Sequence, residues 1–190
     1  MTSTATTPAS SALTTGTWTA DTVHSDVAFK VRHMAVGKAK GTFALTSATL
    51  TVGADGIASA SVVAVIDAAS VVTKNADRDA HVRSADFLDT DNFPTMTFAS
   101  TQVKDFDGET FSLLGDLTLH GVTKAVTLET EYLGETVDAY GATRTGFSAH
   151  TSINRKDFGI SIEMGFGAGN AVVADKIEIS LELEFVKDAS

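Results

Sequence analysis

The sequence predicts an all-β domain of antiparallel strands, closed into a barrel or stacked as a sandwich. Three observations carry that prediction. Apolar and polar residues alternate with a period close to two from Trp18 onward, glycine-containing turn pairs separate the alternating runs, and only one segment shows helical spacing. Closure is the favoured form, because it removes the unpaired edges that hydrophobic strands would otherwise expose.

Taken in chain order, residues 1–16 are mostly Thr, Ser and Ala with Pro8. They hold too little apolar surface to offset the entropy of ordering, so a disordered leader is expected there, with the domain spanning 17–190. In DVAFKVRH, Val27, Phe29 and Val31 share one face, while Asp26, Lys30 and Arg32 take the other. The same alternation runs through GTFALTSATLTV, IASASVVAVIDAASVV, TMTFASTQVKDF, TFSLLGDLTL, AVTLETEYL and TGFSAHTSI. It ends in KIEISLELEFV, where Ile177, Ile179, Leu181, Leu183 and Phe185 oppose Glu178, Ser180, Glu182 and Glu184, the mark of a strand with one wet face. Asp55-Gly56, Asp107-Gly108, His120-Gly121 and Tyr140-Gly141 supply the turns. The exception to the rhythm is NADRDAHVRSADFLD. Asn75 is a capping residue, Asp77 and Asp79 are early acids, and a helix of two or three turns is expected near Asn75–Ser84, placed to lie across a barrel end. Pro94 ends the irregular stretch that follows.

The inward faces are short of bulk. One parity of the strand from Ile57 to Ile66 carries Ala58, Ala60, Val62 and Ala64; the other carries Ser59, Ser61, Val63 and Val65. Set opposite Phe29, Phe43, Phe98 and Leu117, such residues leave either a narrow packed core or an apolar tunnel, and a barrel of about eight strands accommodates both. A tunnel of this kind would hold a ligand through buried apolar area.

Composition closes off several functions. A formal charge of -10 leaves no basic cluster for a phosphate backbone, so no nucleic-acid partner is expected. The absence of cysteine excludes disulfides, thiolate metal sites and cysteine nucleophiles. His24, His33, His81, His120 and His150 are scattered without metal-ligand spacing, and no metal is expected. His24-Ser25-Asp26 places three catalytic residue types in a row, but strand neighbours point to opposite faces, and no G-x-S-x-G is present. MGFGAGN lacks the strand-to-helix context of a phosphate loop and reads as a rim loop. The charges of the Asn75–Asp89 segment, with Arg155 and Asp157, are expected to pair with one another at one barrel end. The opening residues lack the cationic start and apolar core of a signal peptide, and no run approaches the ~20 apolar residues of a membrane span, so a cytoplasmic protein without an integral membrane segment is expected.

Five stretches in order, TWTADTVHSDVAFKVRH, GKAKGTF, NADRDAHVRSADFLDTDNFPTMTFAS, LLGDLTLHGVTKAVTLE and TGFSAHTSINRKDFGI, resemble the YceI-like family from about Thr17 to Phe185. The resemblance implies a single extended, lipocalin-like antiparallel barrel of eight strands. Its hydrophobic tunnel would bind polyisoprenoid chains or other long amphiphiles, including quinone-type lipids and fatty amides. It implies no catalysis and no cofactor beyond such a bound lipid. Many members are exported to the periplasm, which the leader here does not match. Within the family pattern His120-Gly121 is a hairpin turn, with Gly121 at positive φ and His120 making a polar contact to a neighbouring loop.

The reading that follows is a bacterial transport or sequestering protein for one long-chain lipid. Phe29, Val31, Phe43, Phe98, Leu117, Leu119, Phe147 and Leu181 are the expected tunnel wall, and His33, Arg78, His81 and Arg155 the expected polar end. A homodimer could form through a sheet edge or the tunnel mouth. Two rivals belong to other classes: an enzyme acting on a small amphiphile with His33 or His81 as base, and an acidic interaction module with an empty barrel.

Overall fold

The computed structural model describes residues 12–166 and 170–189. Eight long strands form a closed antiparallel barrel: β2 (Asp26–His33), β3 (Gly37–Gly53), β4 (Gly56–Val72), β5 (Thr95–Lys104), β6 (Thr110–Leu119), β7 (Val122–Val137), β8 (Thr143–Asn154) and β11 (Val173–Lys187). They follow one another around the wall, and β11 closes the ring by pairing with both β8 and β2. β1 (Gly16–Ala20) continues the line of β2 at one end, pairing with β3 on one side and β11 on the other. A two-residue hairpin, β9 (Gly165–Phe166) with β10 (Asn170–Ala171), precedes β11 in the region expected as a rim loop; residues 167–169 of that loop lie outside the described residues.

The four turn pairs read from the sequence fall at strand junctions. At the β6–β7 hairpin, Leu119 opposes Val122, and both loop residues have positive φ, 54° at His120 and 71° at Gly121. That is the twist a two-residue hairpin needs. His120, half-buried at this turn, donates from Nδ1 to the Phe158 carbonyl at 3.0 Å, with its ring edge on Phe93.

The helix α1 (Ala76–Arg83) lies inside the span expected for it. Asn75 caps it by accepting from the Arg78 amide, Asp77 and Asp79 sit at the positive end of the helix dipole, and Ser84 closes it. Eight residues without a buried side chain are marginal alone. The helix is held by Asp79, which accepts from both the amide and the hydroxyl of Thr73 at the end of β4.

One end of the barrel is solid. Trp18, Phe185, Ile57 and Val52 are almost wholly buried there, and Phe111, Phe147, Phe185 and Tyr132 pack ring to ring at 5.6–6.3 Å. Leu13, at 3% exposure, belongs to this plug, and Trp18 Nε1 donates to the Thr14 carbonyl. The packed chain thus begins before Thr17. Of the leader expected over 1–16, residues 12–16 are in place and 1–11 lie outside the described residues. Arg144 ties this end together outside the core, binding Asp21, Asp138 and Glu184 from three separate segments.

Candidate functional site: an apolar channel with a polar mouth

Above the aromatic plug the barrel is hollow. A cavity of about 620 Å³ runs from Phe111, Phe147 and Phe185 up to α1 and the loop after β8. Its lining on β11 extends from Val173 to Phe185, about 30 Å along the axis for tilted strands at ~3.3 Å per residue. Such a volume over such a length makes a slot, not a chamber. Alternation puts it there: Val27, Phe29 and Val31 face in with Ile177, Ile179, Leu181 and Leu183, while Lys30, Glu178 and Glu182 face water.

Small inward residues keep the slot open. On β4 the lining includes Ala60, Ser61, Val62 and Ala64 between Ile57 and Ile66, and on β8 it includes Ala149 and Thr151 between Phe147 and Ile153. Two glycines let large rings lie flat on the wall. Phe29 opposes Gly41 across β2–β3, and a Cβ on Gly41 would sit 2.5 Å from the Phe29 ring. The Phe98 ring similarly occupies the place a side chain on Gly115 would take. The rings therefore cover backbone and do not project into the lumen.

The mouth is polar. Arg78 donates from Nε to the Thr73 hydroxyl at 2.8 Å and from Nη2 to the Thr73 carbonyl at 2.7 Å. The Thr73 hydroxyl and amide hold the Asp79 carboxyl below the usual carboxylate range. His81 donates from Nε2 to Asp86 at 2.9 Å and rests its ring on Phe87. Arg155, only 4% exposed, donates to the Ile160 and Ala174 carbonyls and to Asp175. It fastens the loop between β8 and β11 against the barrel rim. His33, at the end of β2, lines the mouth with no side-chain hydrogen bond among the described residues.

All twelve candidate site residues line this one cavity: Phe29, Val31, Phe43, Phe98, Leu117, Leu119, Phe147 and Leu181 on the wall, and His33, Arg78, His81 and Arg155 at the mouth. The expected pairing among the mouth charges is made only in part: His81 pairs with Asp86 inside the Asn75–Asp89 segment. Arg155 reaches Asp175 on β11 and not the helix, and Arg78 turns back to Thr73 at the end of β4. The His24-Ser25-Asp26 run also differs from expectation, since His24 lies in the turn after β1 and bonds Asp21, not Asp26. Among the described residues, the group closest to a metal-ligand arrangement is Asp21, His24 and Glu184, and Arg144 Nη1 already donates to both of its carboxylates.

The family's sequence profile, described as the YceI-like domain, matches residues 18–185. The chain belongs to the YceI-like family. Protein YceI of Shigella flexneri is 43% identical over 142 residues, 75% of this chain and 74% of that protein. The YceI-like barrel is also the fold of Burkholderia cenocepacia BcnA, with a TM-score of 0.72 at 22% identity, covering 87% of this chain and 98% of that one. A polyisoprenoid-binding domain from Saccharophagus degradans superposes with a TM-score of 0.67 at 15% identity, covering 90% and 98%.

The YceI-like barrel uses further lining residues beyond the wall and mouth sets expected from the sequence. Leu113, Val126, Leu128, Ile179 and Leu183 continue the same strand parities and were recoverable by extending them. Thr73, Asp77, Phe87, Ile160, Met164 and Val172 come from the helix and from connecting segments. Strand periodicity says nothing about which of those turn inward.

Proposed function

We propose that this protein binds one long-chain amphiphilic lipid, a polyisoprenoid or a similar chain such as a quinone-type lipid or fatty amide, and carries it without making or breaking a bond. The observation that carries this reading is the slot itself: about 620 Å³, apolar along its length, plugged by aromatics at one end and ringed by polar groups at the other. That volume falls within the roughly 300–1,000 Å³ of small-molecule sites. Each methylene moved into it from water gains about 0.8 kcal/mol. The tail would lie against Phe29, Val31, Phe43, Phe98, Leu117, Leu119, Phe147 and Leu181. At the mouth, His33 and the unshared edge of Arg78 would meet the head group, with His81 beside them. Arg155 acts by positioning, since its donors already serve the rim loop. The polyisoprenoid-binding relative of the same fold supports the choice of chain type.

A carrier role also agrees with the state of the two histidines named as possible bases. His81 is turned to Asp86 and solvent, and neither His33 nor His81 bonds a hydroxyl nucleophile among the described residues. The protein needs no cofactor in this reading and would work in the cytoplasm. Native mass spectrometry of the purified protein, followed by solvent extraction, tests it. A discrete adduct with the mass of a long-chain lipid, lost on extraction and restored by adding it back, is expected. A barrel that purifies empty and takes up no polyprenol, quinone or fatty amide would overturn it.

A further inference from the structure

We propose that the outer flank of β2, β3 and the start of β11, with the Met34–Val36 loop at its tip, docks on the surface of an anionic lipid bilayer. The protein carries fourteen Lys and Arg against twenty-four Asp and Glu, so a basic surface is not what its composition favours. Six of the fourteen are nevertheless gathered on this flank. Lys30, Lys40, Lys74 and Lys176 line one shallow concavity of the outer wall, and Arg32 and Lys38 adjoin it. The strand register makes the gathering costly, since Lys30 stands directly opposite Lys40 and Arg32 directly opposite Lys38. Like charges facing each other across a ladder oppose stability.

Acids do not neutralise it. Glu178 and Glu129 are the carboxylates in the concavity, and Glu178 pairs with Lys30 at 2.6 Å. Arg32, Lys38, Lys40, Lys74 and Lys176 make no ion pair among the described residues. Of the acids nearby, Asp77 and Asp79 lie on α1 past Lys74, and Asp175 beside Lys176 is taken by Arg155 and Lys156.

The second observation is apolar. Between β2 and β3 the chain turns through Met34, Ala35 and Val36, with φ of 51° at Met34 and 59° at Ala35, a conformation side chains other than glycine resist. It leaves Val36 95% and Met34 39% exposed. Lys40 and Lys30 are four residues from this tip, so the charges lie within about 13 Å of it along the strands. Cations around a small apolar tip match an anionic leaflet, whose head groups attract the lysines and whose interface accepts the tip. The tip also adjoins the cavity mouth: His33 lines the cavity, and the Met34 amide donates to the carbonyl of Val172, another lining residue. The purpose of docking, passage of a lipid between bilayer and barrel, rests on the carrier reading; the surface itself does not.

Flotation of the full chain with vesicles tests the proposal. Partition onto phosphatidylcholine vesicles containing about one-third phosphatidylglycerol is expected, with little onto pure phosphatidylcholine and loss at about 0.5 M salt. Lys38→Gln with Lys40→Gln should lower partition by about 25-fold, near fivefold for each cation removed, while the melting temperature stays level or rises. Val36→Asp should weaken partition separately. Equal partition onto both vesicle types, unchanged partition of the double variant, or binding to acidic proteins in place of vesicles would overturn the proposal. A protein that carries lipid by native mass spectrometry but ignores both vesicle types overturns the docking surface and leaves the carrier reading intact. Vesicle binding by an empty barrel does the reverse.

Discussion

Replacing Ala149 by Phe separates a hollow barrel from a filled one. Ala149 lies opposite Leu181 in β11 and Thr130 in β7, packed with Phe98 and Leu128. Leu181 stands eight residues into the twelve-residue step from Val173 to Phe185, so a ring at 149 closes the slot about two-thirds of the way down, roughly 20 Å from the mouth. The deepest ~10 Å holds about eight methylenes, and excluding them forgoes about 6 kcal/mol of gross transfer free energy. Binding realises only part of that, but even ~2 kcal/mol is close to thirtyfold in affinity. Short chains that end above the ring should be retained.

The fold responds in the opposite sense to what a packed core would show. Adding a ring to a filled interior costs about 1–3 kcal/mol, or several degrees in Tm for a domain of this size. A ring entering empty space should leave Tm unchanged or raise it. The assay is a thermal melt alongside native mass spectrometry with a fatty-amide series of graded length. Loss of long chains, retention of short ones and an undiminished Tm are expected. A folded variant with the same length preference as the parent, or one that unfolds, would show that the slot is not where the structure puts it.

Other perturbations reach different parts of the molecule. Gly41→Ala should drive the Phe29 ring off the wall and into the lumen, weakening lipid binding near the mouth with little change in fold, as read by the same titration. Trp18→Ala removes the most buried side chain of the plug and should cost about 3–5 kcal/mol in urea unfolding. Arg144 holds Asp21 and Asp138 below their ordinary value of 3.8, so its contribution is present above that pH and is lost as pH falls through the lower native values. The parent should therefore lose Tm below about pH 4 more steeply than Arg144→Gln. His24, raised above 6.5 chiefly by its hydrogen bond to Asp21, contributes in the other direction: its share is present at low pH and disappears as pH rises through the native value.

Much of this architecture was legible because a barrel wall is two-sided. In β2, β8 and β11 from Ile177 to Phe185 the alternation is unbroken, and in β6 it holds from Gly115 onward past the Leu113-Leu114 pair, so parity alone put Phe29, Leu117, Phe147 and Leu181 on the inside. β3 shows where that reasoning stops. Phe43 and Leu45 face in at odd positions, the register shifts between Leu45 and Ser47, and Ala48, Leu50 and Val52 then face in at even ones. A bulge of that kind leaves no clear mark in composition. The mouth is less legible still. Arg155 reads as a polar group at the barrel end but is buried, because the Ile160 carbonyl from the loop that follows it and the Ala174 carbonyl and Asp175 carboxylate of β11 converge on it. Leu13 reads as part of a leader and instead completes the plug, an outcome that depends on Ile57 and Val52 leaving room beside Trp18.

The contrast between the two ends suggests how one chain can be both stable and hollow. A continuous lumen forfeits the dispersion contacts that a filled core would supply, a loss that must be offset elsewhere in the fold. Here the compensation is concentrated at the end away from the mouth, where Trp18, Phe185, Phe147, Phe111 and Leu13 form one buried cluster and the Arg144 knot fastens three segments outside them. The mouth is left with helix α1, which buries no side chain, and with a rim held largely through Arg155. Local opening should therefore begin at the mouth and spare the plug. Amide exchange would show this as fast protons over 74–94 and 159–166 against slow ones in β1 and the ends of β3 and β11. Uniform protection along the barrel would mean that the slot is not bought with stability stored in the plug, and that the wall hydrogen bonds alone hold it open.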